Sequence, residues 1–532
     1  MRRPTLSDRL QLTPLLTVAL CIAAGIVTAC HGYRQPTLWL SVALVATLTA
    51  AICTILCGRP AVRMSDNSAL PLLSSLLVHV VVFTTGGFLA AKSLVTIVLP
   101  YEERVEYTAV IASPPIEYSN SIGCLIEVTS LEGDTCTRVI PVRAFFSKDS
   151  YARQLDVGDG IRAFSRLKQP DRPFTDVAAI TFIPTNAYKG EAVSLHRLSL
   201  LKRAGIRAMR LRSKLTAEYS SANISDQRLA VVAALTLGDK SLLLPQTRAD
   251  YSHAGASHIL ALSGLHLTII YTLLALLFGG RRGLKTTSGV RGLLTQLFIV
   301  VSLWFFVAMV GMPKSAMRAA TMISAYAFCQ LLRHDTLSLN TLAFAATVLL
   351  IADPLSLYDI GFQLSFMSML AITLVFSPLS RAMPGVLMRL TPVRWVVQMS
   401  LLSLSAQIGT APLVAFYFGA VPLCSLLSNI IVVACATLLL YGSAIFLIMT
   451  PLATMAYIST LRSAIAHCLS AVAGAMNSAV EWVASLPDSQ VVFRPNLLQV
   501  VLIYAGLVAL CCLVALIGNI VGLNRPSPAA SA

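Results

Sequence analysis

Charge is what this chain has least of. Asp, Glu, Lys and Arg supply 12% of its 532 residues, against ~25% in an ordinary soluble domain. The deficit excludes a simple cytosolic globule and is too large for one apolar anchor to produce. No Gly-x-x-x-x-Gly-Lys-Ser/Thr run occurs, so no P-loop cradles nucleotide phosphates. No His-x-His-x-Asp-His run occurs either, which leaves a metallohydrolase of that type without its ligands. Twelve cysteines are present, but Cys21, Cys30, Cys53, Cys57, Cys329, Cys424, Cys435, Cys468, Cys511 and Cys512 lie in or beside apolar runs. There they act as small hydrophobes. Cys124 and Cys136 lie in a more polar stretch, where a disulfide and two free thiols are both open readings.

Apolar residues are abundant, 56% of the chain. Runs near the ~20 residues that cross a bilayer recur through most of it. The formal charge of +16 would suggest nucleic acid on a soluble protein, but membrane proteins also carry basic cytoplasmic loops. Three apolar segments open the sequence, at about Leu15–Cys30, Leu38–Cys57 and Leu70–Leu99. The first is expected to be a retained anchor, since no small-residue cleavage site follows it. Arg2, Arg3, Arg9, Arg59 and Arg63 place the amino terminus inside and send Pro100 outside.

From Tyr101 to Thr185 the pattern becomes strand and turn. Val105–Ala112, Ser121–Ser130, Thr137–Phe145 and Ile161–Leu167 are rich in β-branched and aromatic residues, and Pro and Gly clusters separate them. A small barrel or sandwich fits this length. His196–Ser221 reads as a basic amphipathic helix, with Leu201, Ala204, Ala208, Leu211 and Leu215 as its apolar stripe. Arg203, Arg207, Arg210 and Lys214 lie opposite, suited to a headgroup layer or a phosphate backbone.

Spans are then expected at His258–Phe278, Leu293–Gly311, Ser315–Leu332, Leu337–Ala352, Ile360–Ser377, Val397–Phe418, Leu423–Met449, Ala464–Ser485 and Leu497–Leu523. Two acid-free loops, with Arg281, Arg282, Lys285 and Arg291 and with Arg381, Arg389 and Arg394, should be cytoplasmic. The sequence thus predicts a polytopic α-helical membrane protein of about twelve spans with an inserted extracytoplasmic β domain. Its parts are three amino-terminal helices over 1–99, the β domain over 100–195, and basic amphipathic helices and linker over 196–250. A polytopic block over 251–523 and a polar tail over 524–532 complete it.

Polar groups inside hydrocarbon usually face a bundle interior or a water path. Ser257, His258, Ser263, Gly264 and His266 form one such cluster, with Ser257, Ala261, Gly264 and Thr268 permitting close helix approach. His253, His258 and His266 match no familiar zinc spacing. A Ser263–His266 pair also admits an intramembrane hydrolase, although no third group orients the imidazole. Pro313 breaks a helix and leaves Lys314 and Arg318 one turn apart, with Asp353 and Asp359 as candidate partners. Gln363 and Ser365 follow Gly361, and Gln407, Pro412 and Asn429 interrupt later apolar runs.

These residues resemble a known pattern. The run His253–His266, the stretch Pro313–Met322, Asp353-Pro354 with Gly361–Phe366, and Pro412, Phe416–Gly419 and Asn429 are similar, in that order, to the signatures of the ComEC/Rec2 competence family. The resemblance implies an OB-like β module and an inner-membrane channel that passes single-stranded DNA during natural transformation. It also implies an external DNA receptor, a nuclease and a cytoplasmic ATP-driven motor as partners, besides membrane lipids. A homo-oligomer stays open, and no metal or other cofactor is expected. On the β domain Arg138, Arg143, Arg153, Arg162 and Arg166 supply charge, and Phe145, Phe146, Tyr151 and Phe164 are stacking candidates. The alternative is a secondary transporter of a small anionic or lipid-like solute.

Overall fold

A computed structural model describes residues 14–33, 35–57, 70–94, 100–118, 120–170, 177–193, 198, 200–260, 262–279, 290–331, 339–384, 389–452, 456–487 and 489–520. Arg2, Arg3, Arg9, Arg59, Arg63, Arg281, Arg282, Lys285, Ala261 and the tail 524–532 lie outside these, as do the side chains of Arg138, Leu201 and Arg291.

Among the described residues three helices come first: α1 (Pro14–His31), α2 (Pro36–Cys57) and α3 (Leu70–Ser93). The β domain holds β1 (Arg104–Ile111), β2 (Ile116–Glu117), β3 (Ile122–Leu131), β4 (Asp134–Phe146), β5 (Gly160–Lys168), β6 (Ala179–Ile183) and β7 (Tyr188–Gly190). Then follow α4 (Leu200–Ser221), α5 (Asp226–Leu237), α6 (Pro245–His253), α7 (Ser257–Leu260), α8 (Gly264–Gly279), α9 (Val290–Met309), α10 (Lys314–Leu331) and α11 (Leu339–Ala352). The remainder is α12 (Ile360–Ala371), a π-helical turn at Ile372–Phe376, α13 (Ser377–Ala382), α14 (Thr391–Phe418), β8 (Ala420–Pro422), α15 (Ser425–Met449), α16 (Ala456–Ala484), β9 (Gln490–Val492) and α17 (Leu497–Ile520). The chain divides into two compact units. One comprises residues 1–250, 257–363 and 432–478, and the other 251–256, 364–431 and 479–532.

In the first unit the β domain is a small barrel. Strand order β1-β3-β4-β6-β5 closes through a β1–β5 pairing, and β4–β6 is its parallel pair. Closure removes exposed strand edges, and the arrangement is OB-like. Alternation drives it: in β5, Ile161, Ala163, Ser165 and Leu167 point inward while Arg162, Phe164, Arg166 and Lys168 point out. Inside, Tyr107 donates to Ser165 Oγ at 2.7 Å, Ser165 to Thr181 Oγ1 at 2.7 Å, and Thr181 to the Arg166 carbonyl at 3.1 Å. Every hydroxyl in this buried chain is thereby satisfied.

The four expected strands are present, with β2, β6 and β7 in addition. Phe146 is fully buried against Tyr188 in the barrel core, so it offers no stacking surface. Cys124 pairs across the ladder with Ala144, and the bulge near Ser130 leaves Cys136 far down β4. Both thiols are free. Burial pushes the Cys124 thiol up to about 12, whereas an unfolded thiol ionises near ~8.5. The barrel therefore loses stability as pH rises from the unfolded value toward the folded one. Iodoacetamide should leave Cys124 unmodified in the native protein at mildly alkaline pH and label it only after unfolding. Native labelling, located by mass spectrometry, would contradict this burial.

Helix α4 corrects the expected stripe. Its buried positions are Ile206, Met209, Arg212, Thr216 and Tyr219, while Ala204 and Leu211 are exposed. The docked face is thus rotated by roughly a quarter turn. Ile206 and Met209 join Val110, Val157 and Leu198 in a cluster under the barrel, and barrel contacts outweigh the apolarity of the other stripe.

Among the described residues six helices are long and apolar enough to cross a membrane: Ser75–Ser93, Gly292–Met309, Ile360–Ala382, Thr391–Phe418, Ser425–Leu452 and Tyr457–Ala484. Leu15–His31, Pro36–Thr49, Gly264–Phe278, Leu339–Ala352 and Leu497–Leu510 are shorter apolar helices. Their outward leucines, such as Leu44, Leu76, Leu277 and Leu438, are exposed, as a lipid-facing surface requires. The expected span His258–Phe278 is corrected: α7 ends at Leu260 and α8 starts at Gly264. Ser257 and Thr268 therefore share no continuous helix face.

In the second unit α14 runs unbroken through Pro412. Proline removes one helical donor, and nearby the Gly409 carbonyl takes the Tyr504 hydroxyl at 2.8 Å. Gly409 packs against the backbone of Met367 and the side chain of Ala371. The π-helical turn, where such turns often mark functional segments, lies in the same unit.

Candidate functional site

The break before α10 is built by its glycine. The Gly311 amide donates to the Ala308 carbonyl at 3.0 Å and the Met312 amide to Val307 at 2.9 Å, the two bonds of a Schellman turn. Gly311 sits at φ +93 and Met312 at φ +55, conformations easy for glycine and costly for methionine. Pro313 suits the next position because a helix start needs no amide donor there. Lys314 and Arg318 then stand one turn apart on α10.

Two carboxylates meet these cations. Lys314 Nζ lies 3.6 Å from Asp353 Oδ2, and Arg318 Nη1 lies 3.3 Å from Asp359 Oδ1. The acids flank a 3₁₀ turn at Pro354–Tyr358, which spaces them to match one helical turn. Both are anchored: Ser356 Oγ donates to Asp353 at 2.7 Å, and the Phe362 amide donates to Asp359 at 2.8 Å. Asp359 thus caps α12 and holds Arg318 together. A Cβ on Gly361 would sit 2.8 Å from Arg318 Nη2 and 3.0 Å from Asp359 Oδ1, so glycine lets the guanidinium pass close by without either side-chain tip having to shift. Lys314–Asp353 is partly exposed, whereas Arg318 is buried and its Nε makes no hydrogen bond among the described residues. Gln363 Nε2 donates to the Leu357 carbonyl at 2.9 Å and ties α12 to the 3₁₀ turn.

Ser263 and His266 come together at the start of α8. The Ser263 amide donates to His266 Nδ1 at 3.2 Å and its hydroxyl lies 2.9 Å from the same nitrogen. This is a helix cap in which the third helical residue reaches back. The ring proton is assigned to Nε2, which is buried and makes no hydrogen bond among the described residues. An imidazole already accepting from the backbone is poorly placed as a base for Ser263. Gly264 lies over Ala319, and Leu262 and Leu267 pack with Val307, Ala316 and Ala320. The end of the first sequence stretch and the second stretch are thereby one packed cluster. Ser257 and His258 are exposed. Among the described residues no group of three metal-ligating side chains gathers, at these histidines or elsewhere.

The second unit holds the other candidates. Gln407 Nε2 donates to the Pro422 carbonyl at 2.9 Å, and Asn429 Nδ2 reaches Ser403 Oγ at 3.4 Å, its own Oδ1 making no hydrogen bond among the described residues. Ser428 Oγ donates to the Ala254 carbonyl at 2.7 Å, which fixes the start of the first stretch. Ser365 lies half-buried on α12.

The barrel's outer face combines charge with rings. Arg162, Phe164, Arg166 and Lys168 line β5, Phe182 lies on β6 beside Phe145 of β4, and Tyr118 packs on Phe145 at 6.0 Å. Phe164 and Phe182 are about half exposed. Arg162 pairs with Glu106 at 2.7 Å and Arg166 with Glu102 at 3.8 Å, exposed pairs that exchange readily for another anion. Beside them Glu106, Ser147, Arg162, Phe164, Asn186 and Lys189 line an open groove of about 820 Å³. On α4, Arg207 and Lys214 are exposed and Arg203 is partly covered. Arg210 Nε donates to the Val157 carbonyl at 3.0 Å and so holds a barrel turn.

Sequence reasoning missed Phe182 and Arg212. Phe182 sits on a short strand behind a proline-rich stretch that hid the alternation. Arg212 is 4% exposed, its Nη1 donating to the Val310 carbonyl at 3.2 Å and its Nη2 lying 3.9 Å from Asp239. Burial lowers its pKa against the opposing pull of Asp239 and Asp156. Its three-residue spacing from Met209 and four-residue spacing to Thr216 were the available signal.

These features define a helical membrane protein with an inserted OB-like barrel and paired cations at a helix break. The profile of the Competence protein family matches residues 235–516, more than half of the chain, and the chain belongs to that family. ComE operon protein 3 of Bacillus subtilis (strain 168) is 26% identical over 215 residues, covering 40% of this chain and 26% of that protein. An uncharacterized protein of Aquifex aeolicus (strain VF5) is 27% identical over 210 residues, 39% of this chain and 45% of its own. The alignments thus span less than half the length of either relative. No solved structure matches.

Proposed function

We propose that this protein forms a channel in the bacterial cytoplasmic membrane that admits single-stranded DNA during natural transformation. The observation that carries this reading is the buried Arg318 held by Asp359 at a helix break inside the competence-family block. An arginine is costly in hydrocarbon unless paired, and Asp359 supplies that partner at rest. A passing phosphodiester is tetrahedral, but its two non-bridging oxygens offer the guanidinium fork an anionic acceptor as a carboxylate does. It therefore exchanges for Asp359 without leaving the cation bare, and Lys314 with Asp353 repeats the exchange one turn away.

In this reading the chain crosses the membrane about twelve times with its amino terminus inside and the barrel outside. The barrel's aromatics stack bases while its arginines and the exposed cations of α4 track the backbone. An external receptor delivers the DNA, a nuclease supplies the single strand, and a cytoplasmic ATP-driven motor pulls it.

Labelled DNA offered to cells lacking the protein tests the proposal. Nuclease-protected label should be lost while surface label persists, and wild-type protein should restore it. Unchanged protected label without the protein would favour the transport of a small anionic or lipid-like solute instead.

A further inference from the structure

Helix α4 touches two places that matter. Near its start, Ile206 and Met209 pack under the barrel and Arg210 binds the Val157 carbonyl. Met209 also lies against Gly311, where an added Cβ would stand 2.9 Å from its sulfur. Arg212 then donates to the Val310 carbonyl, one of the orphan acceptors at the end of α9. Its second nitrogen faces Asp239, which follows α5 and is itself held by the Ser241 amide and hydroxyl at 3.1 and 2.6 Å. The turn that Met209 and Arg212 grip is the one that starts α10, and with it the direction in which Lys314 and Arg318 face.

A buried arginine on a polar helix needs a reason. Hydrophobic docking alone would be served by leucine, without the desolvation that a guanidinium suffers. A cation is favoured at a helix carboxyl end, and here one guanidinium serves the end of α9 while staying tied to the end of α5. Met312 holds a left-handed backbone in this same turn, a strained state that persists only when its surroundings fix it.

We infer that α4 is a coupling strut and that Arg212 is the positioning residue that holds the Val310–Pro313 turn, so that displacement of the barrel is transmitted to Arg318. The functional half of this inference rests on the transport reading; the structural half does not.

The test uses the full chain, purified in detergent for hydrogen exchange and expressed in cells lacking the native copy for uptake. In Arg212→Met the amides of Gly311 and Met312 should exchange about tenfold faster or more, with barrel amides unchanged. Capture of single-stranded DNA should stay within about twofold, while protected uptake falls about tenfold or more at equal abundance. Arg212→Lys, which keeps the charge but loses the planar fork, should restore part of both effects, and it carries the same comparison if Arg212→Met does not accumulate. Unchanged exchange at Gly311 and Met312 overturns the strut. So does uptake that falls only in proportion to protein abundance. Should the turn respond while wild type imports no DNA, the transport reading fails and the strut stands.

Discussion

Charge reversal in Arg318→Glu is expected to abolish protected DNA uptake, by about 100-fold or more, well beyond any fall in protein abundance. The variant sets a carboxylate beside Asp359, where the native guanidinium lies 3.3 Å from Oδ1. Two like charges at partial burial repel, and leaving a buried charge unpaired costs roughly 3–5 kcal/mol. A polyanion would meet repulsion where it now meets a cation. Because such a change also threatens folding, the swap Arg318→Asp paired with Asp359→Arg separates the roles. If the pair were purely structural, the swap would restore uptake together with abundance. On the proposed role it restores abundance alone, since the cation then stands at the start of α12 and no longer on α10. Normal uptake in Arg318→Glu would remove this residue from the path.

Removal of the barrel rings, Phe164→Ala with Phe182→Ala, should weaken single-strand capture by about 1–3 kcal/mol for each base that loses its stack. The salt dependence should not change, because no phosphate contact is lost. Neutralising Arg207 and Lys214 to Gln should do the reverse. Capture weakens modestly at low salt, and the slope against log salt falls by about 0.7 for each contact removed. Arg210 is left out of this set because its guanidinium is committed to Val157. Purified full-length protein and labelled single strands in a salt titration read both arms. Capture indifferent to the rings would move the binding surface off this face of the barrel.

Much of this architecture was legible in the chain. The apolar runs, the β insertion between Tyr101 and Thr185 and the break at Pro313 follow from hydropathy, period-two alternation and one proline, signals that act locally. Arg318 and two candidate acids were visible too, but nothing in their spacing chose between Asp353 and Asp359. That choice needed the 3₁₀ turn, whose length brings each acid level with a different turn of α10. The span drawn through His258–Phe278 was wrong because hydropathy cannot see a helix cap made by Ser263 and His266 inside an apolar run.

By itself, then, the sequence determined a helical membrane protein, the place of its barrel and the cations available to it. These depend on composition and on neighbours a few residues apart. Which face of α4 docks, that Arg212 is buried at the end of α9, and that Phe182 joins Phe164 outside the barrel were decided only by tertiary structure. Each depends on surfaces far apart in the chain, and a stripe of leucines is outweighed when a better-fitting barrel floor and two helix ends compete for the same helix.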